Sequence, residues 1–322
     1  MAQQLESRGV SPHRSSISVI TPFSASLCEP DLPFEEYESY QSAPDVEVLR
    51  GLVNECISAG NDEEAIDLIT QEMIRDNGLS ISYEVPLYCL TALWVLARKS
   101  EENRRKIVLD GATFETIVEV MLIYTSEEIL TRAIGLLWCL SMNPAHTIHV
   151  AQSGGIDAIL SAMAVHIDHE ELQETAFGAL KVISSSRHCR GTLHSKRALA
   201  IVTTVMEKHA YKPAIQREGC VVLGNLAVSD TDQSVYPVSE KEISVMINGI
   251  LANPDSLDVH EAAVYTLMRL ASSSVNVEHI RRNSTAKLSL ELAFSRYPDK
   301  VGNNILILLK RLKFELPVIA EN

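Results

Sequence analysis

A Leu-x-x-Leu pair recurs six times at a nearly fixed interval, and that interval limits what the chain can fold into more than any other feature. The pairs are Leu93–Leu96, Leu137–Leu140, Leu180–Ile183, Leu223–Leu226, Leu267–Leu270 and Leu309–Leu312, with their second members 44, 43, 43, 44 and 42 residues apart. A period of about 40–47 residues marks a helical solenoid, in which each unit buries its apolar face only by stacking on its neighbours. The expected class is all-α, with five to six repeats of about 43 residues.

Each period divides into pieces of helical length. In Glu127–Ala164, an apolar helix over Ile129–Ser141 stops at Asn143-Pro144. A short helix over His146–Gln152 follows, then a Ser153-Gly154-Gly155 turn and an amphipathic helix over Ile156–Ala164. The preceding period has the same order: Leu87–Lys99, Asn103–Leu109, Asp110-Gly111-Ala112 and Thr113–Tyr124. Gly111 and Gly154 occupy equivalent places, where a positive φ is expected at a tight turn.

Three segments are expected. Residues 1–43, rich in Ser, Pro and Glu and without periodicity, read as a disordered tail. Residues 44–79 read as an acidic helical hairpin that caps the solenoid, and 80–322 as the repeats. Charge is uneven within a net of −14. Residues 1–78 carry 15 acids against Arg8, Arg14, Arg50 and Arg75, whereas from Ile280 onward eight bases face four acids. An acidic whole disfavours nucleic acid, and opposite charge at the two ends suggests that the acidic tail and cap either screen the basic end or occupy the groove in autoinhibition. No apolar run is long enough to cross a bilayer, and Met1–Val10 has no signal-peptide core. None of the six cysteines forms Cys-x-x-Cys and most fall in apolar helical patterns, which suits a reducing compartment, cytoplasmic or nuclear.

A small residue stands seven positions before the second leucine, at Cys89, Ala133, Ala176, Gly219 and Ala263, with Ile305 departing in the last repeat. Together with Leu137, Leu140 and Ser153-Gly154-Gly155-Ile156, this pattern resembles the armadillo-repeat family over roughly residues 82–315. HEAT repeats are the alternative, because the glycine turn is lost in later repeats. The resemblance implies a right-handed α-α superhelix. It also implies that the long helix of each repeat lines a concave groove for a partner's extended peptide or amphipathic helix.

A helical wheel drawn back from each second leucine puts offsets 0, −3, −4, −6 and −7 in the core and −5, −2 and −1 on the opposite face. Offset −2 gives Trp94, Trp138, Lys181, Gly224 and Met268; offset −1 gives Val95, Cys139, Val182, Asn225 and Arg269; offset −5 gives Thr91, Gly135, Gly178, Val221 and Tyr265. Trp94 and Trp138 hold one offset in adjacent repeats and offer rigid anchors for a partner; packing between helices is the alternative. Lys181, Asn225, Tyr265 and Arg269 continue the row with groups suited to a peptide's carbonyls and carboxylates. Importin-type grooves repeat tryptophan at offset −5 and asparagine at offset −1. Only Asn225 matches, which argues against a nuclear-transport cargo adaptor.

No enzyme signature is present: no glycine-rich phosphate loop and no Gly-x-Ser-x-Gly elbow. His166 with His169, and His146 with His149, lack the further ligands a metal needs. Cys189 beside His188 reads as a helix residue, not a nucleophile. The expected function is a non-enzymatic scaffold or adaptor without cofactor, metal, nucleic-acid or small-molecule ligand. A structural subunit of a larger intracellular complex is the alternative.

Overall fold

A computed structural model describes residues 44–76, 83–228 and 236–315. The expected tail, residues 1–43, lies outside the described residues. Seventeen helices and no strand occur among those described. Two continuous ladders run through the array, and a further set of helices opens the repeats. The inner ladder is α3 (Glu84–Lys99), α6 (Glu127–Leu140), α9 (Glu170–Ser185), α12 (Pro213–Leu226), α14 (Leu257–Leu270) and α17 (Pro298–Leu312), each against the next. The middle ladder is α2 (Asp62–Asp76), α5 (Gly111–Ile123), α8 (Gly155–Val165), α11 (Ala198–Lys208), α13 (Glu240–Ala252) and α16 (Ala286–Arg296). The 15-residue α1 (Pro44–Ser58) and the nine-residue α4 (Glu101–Leu109), α7 (Pro144–Gln152), α10 (Arg187–Ser195) and α15 (Ser274–Arg282) open five of the six repeats.

The core follows the wheel. In α6, Ala133, Ile134, Leu136, Leu137 and Leu140 are fully buried, as are the small residues Cys89, Ala176 and Ala263, which let inner helices approach their neighbours. The α1–α2 hairpin packs on α3, and α2 joins the middle ladder. Thr70 and Thr113, 43 positions apart, hydrogen-bond across this joint at 2.9 Å. The hairpin therefore supplies two helices of the first repeat while forming the end of the array. The fifth repeat is irregular: among the described residues no helix lies between Leu226 and Glu240.

Helices of nine residues are marginal alone, and every bend leaves carbonyls without helical partners. Side chains at fixed offsets close both kinds of bend. Where an inner helix turns into the next short helix, Asn103 donates to Leu96 O (2.9 Å), Thr147 to Ser141 O (2.6 Å), Arg190 to Ser184 O (3.0 Å) and Asn276 to Leu270 O (3.1 Å). Where a middle helix turns into an inner one, Gln173 donates to Met163 O and His166 O, both at 2.9 Å. Gln216 does the same to Met206 O (2.8 Å) and His209 O (3.0 Å). One period on, His260 Nε2 takes this role with Asn253 O at 3.1 Å.

The turns differ from expectation at one glycine. Gly154 has φ +89°, but Gly111 does not enter the left-handed region; Asp110 in extended conformation caps α5 instead, accepting from Ala112 N at 3.3 Å. Arg197 stands 43 residues after Gly154 with φ +59°, a conformation that costs a non-glycine residue about 1–2 kcal/mol. The period thus imposes its geometry even where glycine is absent.

The His260 cap makes stability sensitive to acid. Its ring is fully buried, Nδ1 lacks a partner, and burial pushes its pKa below the ordinary 6.5. The unfolded chain then binds the proton more readily, so stability is retained above about pH 6.5 and lost as pH falls toward the lowered value. His260→Gln, which restores the cap used one and two repeats earlier, should flatten this acid-side loss in urea titrations at pH 7.5 and pH 5. An unchanged slope between the two pH values would show that His260 does not titrate with unfolding.

Candidate partner-binding face

The inner ladder presents one side chain per turn from six helices, and its two halves differ in chemistry. Toward α3 the floor is apolar. Trp94 reaches from α3 across Gly135 of α6, and Trp138 reaches from α6 across Gly178 of α9. A methyl group at Gly135 would stand 3.2 Å from Trp94 Cζ2, and one at Gly178 would stand 2.6 Å from Trp138 Cη2. Each indole therefore lies against the backbone of the next inner helix, too close for a side chain at Gly178, whereas at Gly135 the ring would have to give way by a few tenths of an ångström. Trp94 is 7% exposed and Trp138 is half-buried, with its Nε1 buried and unpartnered. Both rings serve inter-repeat packing, and the best-exposed apolar groups of this strip are Val95 (38%) and Met142 (44%).

Toward α17 the floor is polar. Lys181 Nζ lies 3.0 Å from Glu218 Oε1, the same carboxylate faces Arg217, and Arg217 Nη1 lies 3.3 Å from Asp258 Oδ2. The four charges run across α9, α12 and α14 as one relay. Asn225 is nearly buried and donates to Ser184 Oγ at 3.1 Å. Lys181 and Asn225, expected to meet a peptide, thus already have partners within the fold. Tyr265 and Arg269 are half-buried on α14. Burial lowers the Arg269 pKa, Tyr265 opposes the shift, and Arg190 reinforces it. Among the described residues Arg269 has neither an ion pair nor a hydrogen bond from its side chain.

The structure thus separates the six expected residues into Trp94 and Trp138 in one half and Lys181, Asn225, Tyr265 and Arg269 in the other. The wheel missed Arg217, Glu218 and Asp258, at offsets −9, −8 and −12, because it stopped at −7 although the same face continues for another turn and a half. It also missed that offset −2 of one repeat meets offset −5 of the next.

The remaining reactive groups are dispersed. His166 Nδ1 lies 3.3 Å from Glu127 Oε1 and His169 Nε2 lies 3.6 Å from Glu127 Oε2. No group of three metal-ligating side chains converges among the described residues. Burial pushes the Cys220 thiol up to about 12 and raises those of Cys89, Cys139 and Cys189, which leaves them protonated at neutral pH.

The architecture has counterparts among solved structures. The chain resembles two engineered proteins, each at 16% identity and TM-score 0.57, covering 77% of this chain and 98% and 96% of theirs. It also resembles a chain from a study of a phosphorylation switch that controls the interaction between cadherin and beta-catenin. That likeness has 19% identity and TM-score 0.58, and covers 83% of this chain but 59% of the other. The fold is a helical-repeat solenoid. No family model and no curated protein matches the sequence, so these likenesses establish the solenoid architecture alone.

The ring-on-glycine contacts of the solenoid can be tested directly. Gly178→Ala should destabilise by about 1–3 kcal/mol, because the Trp138 ring must leave its place. Gly135→Ala should be milder, since its methyl would meet Trp94 at a longer distance. Thermal melts with tryptophan fluorescence would rank them; a neutral Gly178→Ala would show that the ring is not clamped.

Proposed function

We propose that this chain is an armadillo-like, non-enzymatic scaffold that holds an extended peptide or amphipathic helix of a partner protein along its inner face. The observation that carries the reading is the apolar strip from α3 to α9. Val95, next to Trp94 on α3, stands exposed there, and Met142 stands exposed two residues past the end of α6. A rigid floor loses little side-chain entropy on binding, so contacts made on it convert efficiently into affinity. The related solved chain, from work on cadherin and beta-catenin, lends the analogy of a solenoid with a protein partner. Protonated, buried thiols suit a reducing compartment, and we assign the protein to the cytoplasm or nucleus.

A second reading, a structural subunit of a larger complex, draws on exposed apolar residues away from the inner helices, among them Leu109 (63%), Leu122 (66%), Val165 (65%) and Leu288 (58%). The two readings differ in where a ligand binds. Peptides selected on the full chain from a random displayed library should bind a Val95→Glu/Met142→Glu variant at least about tenfold more weakly, since a charge would be buried against the ligand. The variant's thermal midpoint should barely move, because both sites are exposed. Unchanged affinity would take the ligand off the inner face and favour the outer surfaces.

A further inference from the structure

An end repeat of a solenoid has one neighbour, so a soluble single array makes the outer face of each end polar. Both ends of this array keep apolar groups there. On α17, Leu306 is only half-buried, although Leu90, Ile134, Phe177, Cys220 and Val264, at the same place on the five preceding inner helices, are fully buried. Each of those five helices packs against a following inner helix, and among the described residues none follows α17. Ile307, beside Leu306, is 51% exposed. At the other end, Val48 (65%) and Leu52 (46%) stand exposed four residues apart on α1, while Val46, Leu49 and Val53 of the same helix are buried.

The two ends also carry opposite charge. Helices α1 and α2 hold nine acids against Arg50 and Arg75, a net −7 that is half of the whole chain's −14. Helices α16 and α17 hold five bases against Glu291 and Asp299, a net +3. Pairs inside the fold take up part of each: Asp62 meets Lys99 at 2.6 Å, Asp67 meets Lys106 at 2.9 Å and Arg296 meets Asp255 at 3.4 Å. The sign is kept on the outer stripes. Glu55 is exposed on the face of α1 that carries Val48 and Leu52, at spacings of four and three residues. Lys310 is exposed four residues after Leu306 on α17.

We propose that the acidic α1–α2 end of one copy of this chain seats on the basic α16–α17 end of a second copy, with Val48 and Leu52 against Leu306 and Ile307 and with Glu55 facing Lys310. The contact continues the packing of the inner ladder, because the second copy supplies the neighbour that α17 lacks. It joins unlike surfaces, so each copy keeps one unused end and copies add in a row. Two like ends cannot meet in this way, since each would oppose charge of its own sign. Residues 1–43 hold six acids against Arg8 and Arg14 and bring no complement to the acidic α1–α2 end. A second copy is the occupant that satisfies both ends at once. The proposal is independent of the scaffold reading, because neither Val95 nor Met142 belongs to either end.

The test is sedimentation velocity of the full chain over a wide range of concentration. The mean sedimentation coefficient should rise with concentration, and the rise should shrink as salt is added. Val48→Glu/Leu52→Glu, which puts charge on the apolar stripe of α1, should weaken association at least about tenfold. Lys310→Glu, which reverses a charge on α17, should do the same. All three sites are exposed, so helicity and thermal midpoint should stay in place. Mixed together, the two variants should associate again but stop at dimers. The α1–α2 end is intact in one and the α16–α17 end in the other, and the pair's remaining ends are both spoiled. A wild-type chain that stays monomeric at every concentration, or a mixture of the variants that stays monomeric, would overturn the proposal. Association lost in Val48→Glu/Leu52→Glu but kept in Lys310→Glu would mark a symmetric contact between α1–α2 ends and overturn it as well. Val95→Glu/Met142→Glu should self-associate like wild type, and Val48→Glu/Leu52→Glu should bind the library peptides normally. Failure of the end contact therefore reads separately from failure of the scaffold reading.

Discussion

The structure depends on satisfying backbone carbonyls at its bends. Helices of 9 to 16 residues joined by tight turns repeatedly expose carbonyl groups beside an apolar core, and a buried carbonyl without a donor is expensive. The chain meets this with a donor at a nearly constant distance from the repeat leucine, ten residues before it at one bend and seven after it (six for Asn276) at the other. Gln173 and Gln216 close one type of bend, and Asn103, Thr147, Arg190 and Asn276 close the other. Because the donor comes from the element after the bend, it sets the angle between the two helices as well as satisfying the carbonyl. Angles repeated every 43 residues or so are what turn short helices into ladders. The identity of the donor matters less than its reach: amide, hydroxyl, guanidinium and imidazole all serve, which hides this device from a search for one conserved letter.

What could be read from the sequence follows from the same logic. Leu137, Leu140 and their equivalents announce the fold because burial on an inner helix is demanded at one position in every repeat, and core residues pack under the same constraint throughout. Gly111 was misread because a turn can be made in two ways: Asp110 caps α5 in extended backbone, and the glycine is merely its first residue. Among the described residues no short helix appears between α12 and α13, yet 44 residues still separate Leu226 from Leu270. Period reports the rise from repeat to repeat and says nothing about how the intervening chain is spent.

The inner face was harder to read because its contacts join different offsets in neighbouring repeats. Trp94 and Trp138 are aligned with each other, but their physical partners are Gly135 and Gly178, three positions earlier on the next helix. Once paired, they explain each other: the bulky ring fills the volume that the glycine vacates, and the two change together from repeat to repeat. Lys181 and Glu218 also join different offsets of neighbouring repeats, with charge in place of volume. Exposure inferred from a single helix therefore overstates what a partner can touch. The tryptophans contribute stiffness to the floor, and the neighbouring Val95 and Met142 contribute its accessible surface.

A solenoid can hold an unfavourable group locally because each repeat interacts only with its neighbours, so the cost does not spread along the array. That makes the position of Arg269 informative. It belongs to the repeat that has no opening helix among the described residues, whereas Lys181, on a regular repeat, pairs with Glu218 of the next one. Local rules are broken in backbone and charge within one repeat, whereas the carbonyl caps around it, His260 and Asn276, are kept. Sequences that are consistent elsewhere tend to break their own rules where function requires it. The unpaired Arg269 and the absence of an opening helix among the described residues thus fall in the same repeat, formed by α13 and α14.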